Sequence, residues 1–101
     1  MGGIERKIRE LYEVFAGRPE VLRQAELKCR EWERGGWEWL ACMINWAGCI
    51  DEALGVLDAD YGVECAVRLC EEGGCYGGDA ELCLTAFLAE VGGVKYVCGD
   101  S

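Results

Sequence analysis

The sequence predicts an all-α protein, a compact bundle of five to six short helices with disulfide cross-links and a short extended C-terminal tail. Apolar residues recur every three or four positions through most of the chain, as they do along helices that bury one face. Glycine pairs separate these stretches, and Pro19 is the only proline. The chain has 101 residues, of which 51% are hydrophobic, so we expect a single helical domain over residues 1–101.

Two helices are predicted in the first third of the chain, over residues 4–16 and 19–34. An apolar stripe runs along the first of them, and Gly17 is the residue expected to end it. Pro19 suits the first turn of the second helix, where no backbone donor is needed. The predicted buried face of this second helix consists of Leu22, Ala25, Cys29 and Trp32.

The segment 37–47 is apolar nearly all round, which predicts a central helix surrounded by its neighbours. Asn45 lies inside this segment, so its side chain is expected to be buried and hydrogen-bonded. Gly48 is expected to break the chain. A separate short helix, ending near Leu57, is predicted after the break.

Two further helices are predicted, over residues 61–72 and 80–91, with aspartates available as N-caps. Asp58 or Asp60 would cap the first and Asp79 the second. The predicted buried faces are Val63, Ala66, Val67 and Cys70 with Cys65 and Leu69 beside them, and Leu84, Phe87, Leu88 and Val91 with Cys83 behind them. The tail 94–98 alternates like a strand but has no evident partner strand, so an extended segment held by Cys98 is expected.

Eight cysteines and no histidine narrow the chemistry of the chain. Without histidine there is no Ser-His or Cys-His nucleophile and no imidazole acid or base. Ser101 is the only serine and Thr85 the only threonine. We therefore predict a protein that is not an enzyme and needs no cofactor.

Disulfide bonds are the predicted use of the cysteines, because an even, high cysteine count is typical of a disulfide framework. The candidates are Cys29, Cys42, Cys49, Cys65, Cys70, Cys75, Cys83 and Cys98. Cys29 and Cys42 lie on consecutive predicted helices. A bond from the tail to the helices, Cys83–Cys98 or Cys75–Cys98, would close a short loop.

A thiolate site for Cu(I) or Zn, in a metal store or carrier, is the alternative use of these cysteines. No Cys-x-x-Cys knuckle occurs, although most zinc sites have one. Cys65 and Cys70 would point about 140° apart on one helix, too far to share an ion, so no metal ligand is assigned. A reactive redox thiol at Cys49 or Cys75 is a third hypothesis.

Charge argues against two classes of partner. Ten basic and nineteen acidic residues give a formal net charge of −9, which disfavours nucleic acid and anionic membranes. No apolar stretch is long enough to span a bilayer, and no signal peptide is visible at the N-terminus. Disulfides without a signal peptide suggest the cytoplasm of a hyperthermophilic archaeon, or a virion or extracellular setting.

Four tryptophans lie within residues 32–46, and as core residues they need no special role. Trp37 and Trp39 are the candidates for an exposed position and hence for an interaction with another protein. The functional prediction is a small structural or interaction protein, a disulfide-stabilised helical bundle. It would self-associate as a homo-oligomer or bind a protein partner.

Overall fold

A computed structural model describes residues 18–57 and 62–92, together with Gly3, Arg6, Arg9, Glu10, Glu13, Phe15 and Gly17. These residues confirm the all-α class, since they include no strand. The described helices are α1 (Pro19–Lys28), α2 (Trp37–Val56), α3 (Val63–Gly73) and α4 (Ala80–Val91). Most of the predicted helix over 4–16 and all of the predicted tail over 94–98 lie outside the described residues.

The chain divides into two compact units, Met1–Ala47 and Gly48–Ser101. The boundary between them falls inside α2. The first unit contains α1 and the first half of α2, here called the α1–α2 hairpin, and the second contains α3 and α4, here called the α3–α4 corner. A single domain over the whole chain stays a prediction.

Helix α1 ends at Lys28, before the predicted end at residue 34. The backbone N–H of Cys29 donates to the carbonyls of both Ala25 and Glu26, so the last turn tightens and stops. The Arg34 guanidinium then lies 3.1 Å from the Glu26 carboxylate. In a continuous helix these two residues would be about 12 Å apart along the axis, so the chain has turned back.

The buried face of α1 therefore differs from the predicted one. Val21, Ala25 and Cys29 are buried, whereas Leu22 is only partly covered. Trp32 was expected on this face but lies in the turn after the helix and is exposed. The early end of α1 takes Trp32 off the buried face.

Helix α2 runs without a break through Gly48, so the prediction of two helices here is wrong. A glycine inside a helix costs about 1 kcal/mol relative to alanine. Burial on either side offsets that cost, because Ala47, Cys49 and Ile50 are fully buried. Asn45 is exposed, which corrects the expectation of a buried amide. The central place of this helix in a bundle stays a prediction.

Helix α3 begins at Val63 after Gly62, which supplies no side-chain cap. The two aspartates predicted to cap it, Asp58 and Asp60, lie outside the described residues. Its buried side chains are Cys65, Ala66, Val67, Leu69 and Cys70. All five belong to the predicted buried set, while Val63 is only partly covered.

The end of α3 is a Schellman turn, which satisfies the last carbonyls of the helix. The N–H of Cys75 donates to the Cys70 carbonyl at 3.1 Å, and the N–H of Gly74 donates to the Glu71 carbonyl at 3.3 Å. Gly74 has φ +65°, a left-handed conformation that glycine adopts without steric cost. This turn directs the chain towards the start of α4.

Helix α4 has the predicted bounds, Ala80–Val91. The Asp79 carboxylate accepts a hydrogen bond from the Leu82 N–H at 3.2 Å, and Gly92 ends the helix at φ +112°. No helix in the described part of the chain is long and apolar enough to cross a membrane.

The buried face of α4 is narrower than predicted. Leu84 and Leu88 are buried, and Phe87 and Cys83 are partly covered. Val91 is exposed, because it lies in the last turn of the helix.

Candidate functional site

The cysteines are the main candidate functional residues of this sequence, and the described ones form disulfides. The three bonds between described residues are Cys29–Cys42, Cys49–Cys70 and Cys75–Cys83, with Cα–Cα distances of 5.9, 6.2 and 5.6 Å. These distances are ordinary for disulfides. Cys65 is also disulfide-bonded, and no described cysteine is free. Each of the three bonds joins residues of one compact unit.

The Cys29–Cys42 bond joins α1 to α2, as the pair on consecutive helices suggested. The predicted bonds Cys83–Cys98 and Cys75–Cys98 are wrong, because Cys75 and Cys83 are bonded to each other. The Schellman turn and the Asp79 cap bring the start of α4 back to the end of α3. This return places the two cysteines within bonding distance.

A metal-thiolate site needs free thiolates, whereas the sulfur atoms of these cysteines are already in disulfide bonds. The described part of the chain has no group of three or more cysteine or carboxylate side chains placed to hold a metal ion. Cys49 and Cys75, the two candidates for a reactive thiol, are each half of a disulfide.

The α1–α2 hairpin places cations over buried tryptophans. The Lys28 ammonium lies 5.3 Å from the centroid of the Trp46 ring, and the Arg34 guanidinium lies 5.9 Å from that of Trp39. Such cation–π contacts contribute about 0.5–1 kcal/mol each at partly exposed sites.

The four tryptophans divide into two core and two surface residues. Trp39 is 7% exposed and Trp46 8% exposed, so both belong to the core of the hairpin. Trp37 is 52% exposed and Trp32 42% exposed, and Leu27 at the end of α1 is 51% exposed. Of the two predicted interaction residues, Trp37 therefore offers surface to a partner, while Trp39 offers little.

Sequence reasoning missed the surface role of Trp32 and Leu27. A helix that continued to residue 34 would have buried Trp32, and only the end of α1 at Lys28 exposes it. The pair Gly35-Gly36 predicts the helix end at residue 34, and no local signal in the sequence marks the earlier end at Lys28.

Gly73 is the residue on which the α3–α4 corner closes, and its role was not apparent from sequence. Its carbonyl oxygen lies 3.4 Å from the Cys75 sulfur and 3.7 Å from the Cys83 sulfur. A Cβ atom at Gly73 would lie 3.1 Å from the Cys75 sulfur and 3.2 Å from Cγ of Phe87. The disulfide and the Phe87 ring therefore pack against bare backbone.

No family model matches this chain, and neither a curated protein nor a solved structure matches it.

Proposed function

We propose that the chain is a non-enzymatic structural or interaction protein, stabilised by disulfides, that binds a protein partner or a second copy of itself. Its contact region would be the exposed side chains of Leu27, Trp32 and Trp37, here called the hairpin surface. The observation that carries the proposal is the exposure of two tryptophans and a leucine within eleven residues of one compact unit. Tryptophan is the residue most enriched among those that dominate binding energy at protein interfaces.

The hairpin surface is built on a cross-linked support. Cys29 and Cys42 tie the end of α1 to α2, and the Arg34–Glu26 ion pair links the turn back to α1. A surface held in place before binding loses less conformational entropy when a partner arrives. The disulfides would thus serve the interaction as well as stability.

The composition supports a binding role over catalysis. The chain has no histidine, and its only serine is its last residue. Without histidine, the Ser-His and Cys-His pairs that activate many enzymatic nucleophiles cannot form.

The self-association arm of the proposal is tested by sedimentation velocity on the oxidised full chain over a concentration series. We expect a dimer or larger species whose population falls in Trp37→Ser and Trp32→Ser. Val56→Ser is the matched control, because Val56 is an exposed apolar residue outside the hairpin surface.

The partner arm is tested with a photo-cross-linking amino acid at position 37 in an extract of the source cells. We expect one discrete product, with none from the same cross-linker at position 56. A chain that stays monomeric at all concentrations and yields no discrete product from position 37 contradicts the proposed function.

A further inference from the structure

Helix α4 has a second apolar face in addition to the one it buries. Leu84 and Leu88 point into the α3–α4 corner, while the opposite side of the helix is exposed. The exposed residues at i, i+3, i+4 and i+7 are Leu82, Thr85, Ala86 and Ala89, here called the α4 stripe. Leu82 is 69% exposed, the highest value among the described large hydrophobic residues.

Thr85 does not make the α4 stripe polar. Its hydroxyl donates to the Glu81 carbonyl at 2.8 Å, one turn back in the same helix. This bond satisfies the hydroxyl within the helix and leaves the methyl group to contribute to the surface. Ala86 and Ala89 are small, so a second helix can approach α4 closely along the stripe.

Carboxylates flank the α4 stripe on both sides. With about 100° of rotation per residue, Glu81 lies about 100° to one side of Leu82 and Glu90 about 80° to the other. Helix α4 contains no lysine or arginine. The residues of the second unit include eleven acidic and two basic, against eight and eight in the first, so the whole net charge of −9 falls in residues 48–101.

This charge pattern favours one kind of helix over another as the partner that packs on the α4 stripe. A second α4 placed along the stripe, parallel or antiparallel, would bring carboxylates against carboxylates with no cation from either helix. A helix whose apolar stripe is edged by lysine or arginine would instead pair its cations with Glu81 and Glu90. Flanking charges of this kind set the choice of partner between paired helices.

We propose that the α4 stripe is a docking surface for a basic amphipathic helix of a different protein. The inference rests on the proposed function in that it requires a protein partner. It uses a surface separate in sequence from the hairpin surface, so each can fail without the other. Leu82 would enter the apolar face of the partner helix, and Ala86 would set how closely the two helices approach.

The probe is a fluorescently labelled synthetic peptide of leucine and lysine, of about 18 residues or five helical turns, with leucines in one stripe. Binding to the oxidised full chain is followed by anisotropy. We expect saturable binding that is lost when glutamate replaces every lysine of the peptide. We expect Leu82→Gln and Ala86→Gln each to weaken binding about tenfold, because one removes the apolar anchor and the other holds the helices apart.

Two controls distinguish docking on the α4 stripe from nonspecific electrostatic attraction between the peptide and the acidic chain. Leu82→Glu makes the chain more acidic, so purely electrostatic binding would strengthen, whereas docking on the stripe predicts weakening. Leu27→Gln alters the hairpin surface and should leave peptide binding unchanged. Near-ultraviolet circular dichroism establishes that each variant keeps its tertiary packing.

The inference would be overturned by no binding of the leucine–lysine peptide, by binding that Leu82→Glu strengthens, or by a dimer of the free chain that Ala86→Gln dissolves. If a variant fails to fold, the test is made on the wild-type chain by NMR. Adding the peptide should then change the backbone amide chemical shifts most at residues 82, 85, 86 and 89. Largest shifts elsewhere would also overturn it. Failure here, with the hairpin-surface tests succeeding, would leave the proposed function standing.

Discussion

Gly73 shows how a single residue without a side chain determines the packing of a corner. A Cβ atom at Gly73 would lie 3.1 Å from the Cys75 sulfur and 3.2 Å from the Phe87 ring, closer than side-chain atoms usually pack. Gly48, by contrast, lies within α2 with nothing within 4 Å of the position of its Cβ. Both glycines have helical backbone, so the same substitution at each compares a crowded position at a helix end with an open one inside a helix.

We predict that Gly73→Ala destabilises the oxidised protein by about 1–2 kcal/mol, since an added methyl in a filled space forces its neighbours to shift. Gly48→Ala should stabilise it by about 0.5–1 kcal/mol, because alanine loses less conformational entropy in a helix. Guanidinium denaturation without reductant measures both. Equal effects at the two positions would contradict the packing argument.

Asp79 caps α4 through a single hydrogen bond to the Leu82 N–H. We predict that Asp79→Ala lowers the free energy of unfolding by about 1 kcal/mol, because that backbone donor loses its partner. Asp79→Asn keeps an acceptor oxygen at the same place and should retain most of the stability. Urea denaturation of the two variants is the measurement, and an equal loss in both would show that the cap bond is not what matters.

At the scale of elements, prediction from sequence succeeds where the end signals are local. Both bounds of α4 follow from Asp79 and Gly92, which act within one turn of the helix. The predicted end of α1 and the predicted break in α2 are wrong because both depend on contacts between residues distant in sequence. Burial of residues next to Gly48 keeps α2 continuous, and contacts with α2 accompany the end of α1 at Lys28. Neither effect can be read from a local pattern.

The same distinction explains the disulfides and the candidate surfaces. Cys29–Cys42 is predictable because two helices adjacent in sequence form a hairpin. Cys49–Cys70 is not, because it depends on α2 continuing past Gly48. The spacing of the α4 stripe is visible in the sequence, but an apolar stripe is read as core until burial shows which side of the helix is covered.

The disulfides should differ in their contribution to stability by the size of the loop that each closes. The sequence separations are 21 for Cys49–Cys70, 13 for Cys29–Cys42 and 8 for Cys75–Cys83. We predict that replacing a pair by alanines costs about 3 kcal/mol, with the longest loop costing about 0.9 kcal/mol more than the shortest. Thermal and guanidinium denaturation of the three double variants measure the loss of stability in each and so rank the three bonds.

Burial also predicts that Cys49–Cys70 contributes more to stability than Cys75–Cys83. Cys49 and Cys70 are both fully buried, whereas Cys83 is only partly covered. Removing the Cys49–Cys70 pair therefore also leaves a cavity. Matched single variants such as Cys49→Ala control for a newly freed thiol. A larger loss from the Cys75–Cys83 pair would contradict the loop argument and point to the Gly73 packing as the dominant contribution of that bond.

On the scale of the whole molecule, the two units differ in charge and in exposed apolar surface. The first unit has balanced charge and an exposed hydrophobic hairpin surface, whereas the second carries all of the net charge. A neutral apolar surface suits self-association, because it brings no like charges together, and an acidic unit suits a basic partner. The two units therefore favour partners of different chemistry, an apolar surface for the first and a basic helix for the second.

Counting cysteines over the whole chain gives a connectivity prediction. Six described cysteines form three bonds and Cys65 is also bonded, which leaves Cys98 as the remaining cysteine of the sequence. We predict that Cys65 pairs with Cys98 of the same chain. The intact oxidised protein should then be lighter than its reduced form by eight hydrogen atoms, with no thiol open to alkylation. Proteolysis without reductant should release a peptide pair containing these two cysteines.

The control for disulfide exchange is digestion at acidic pH, where thiolates are scarce. A chain that weighs twice the expected mass without reductant, and half of that with it, would mean that Cys65 or Cys98 bonds a second copy. That result would contradict the intramolecular prediction and make a covalent dimer the unit that presents the hairpin surface. Alkylation of Cys98 in the oxidised chain would contradict the pairing directly, because Cys65 would then have to bond a second copy or another molecule.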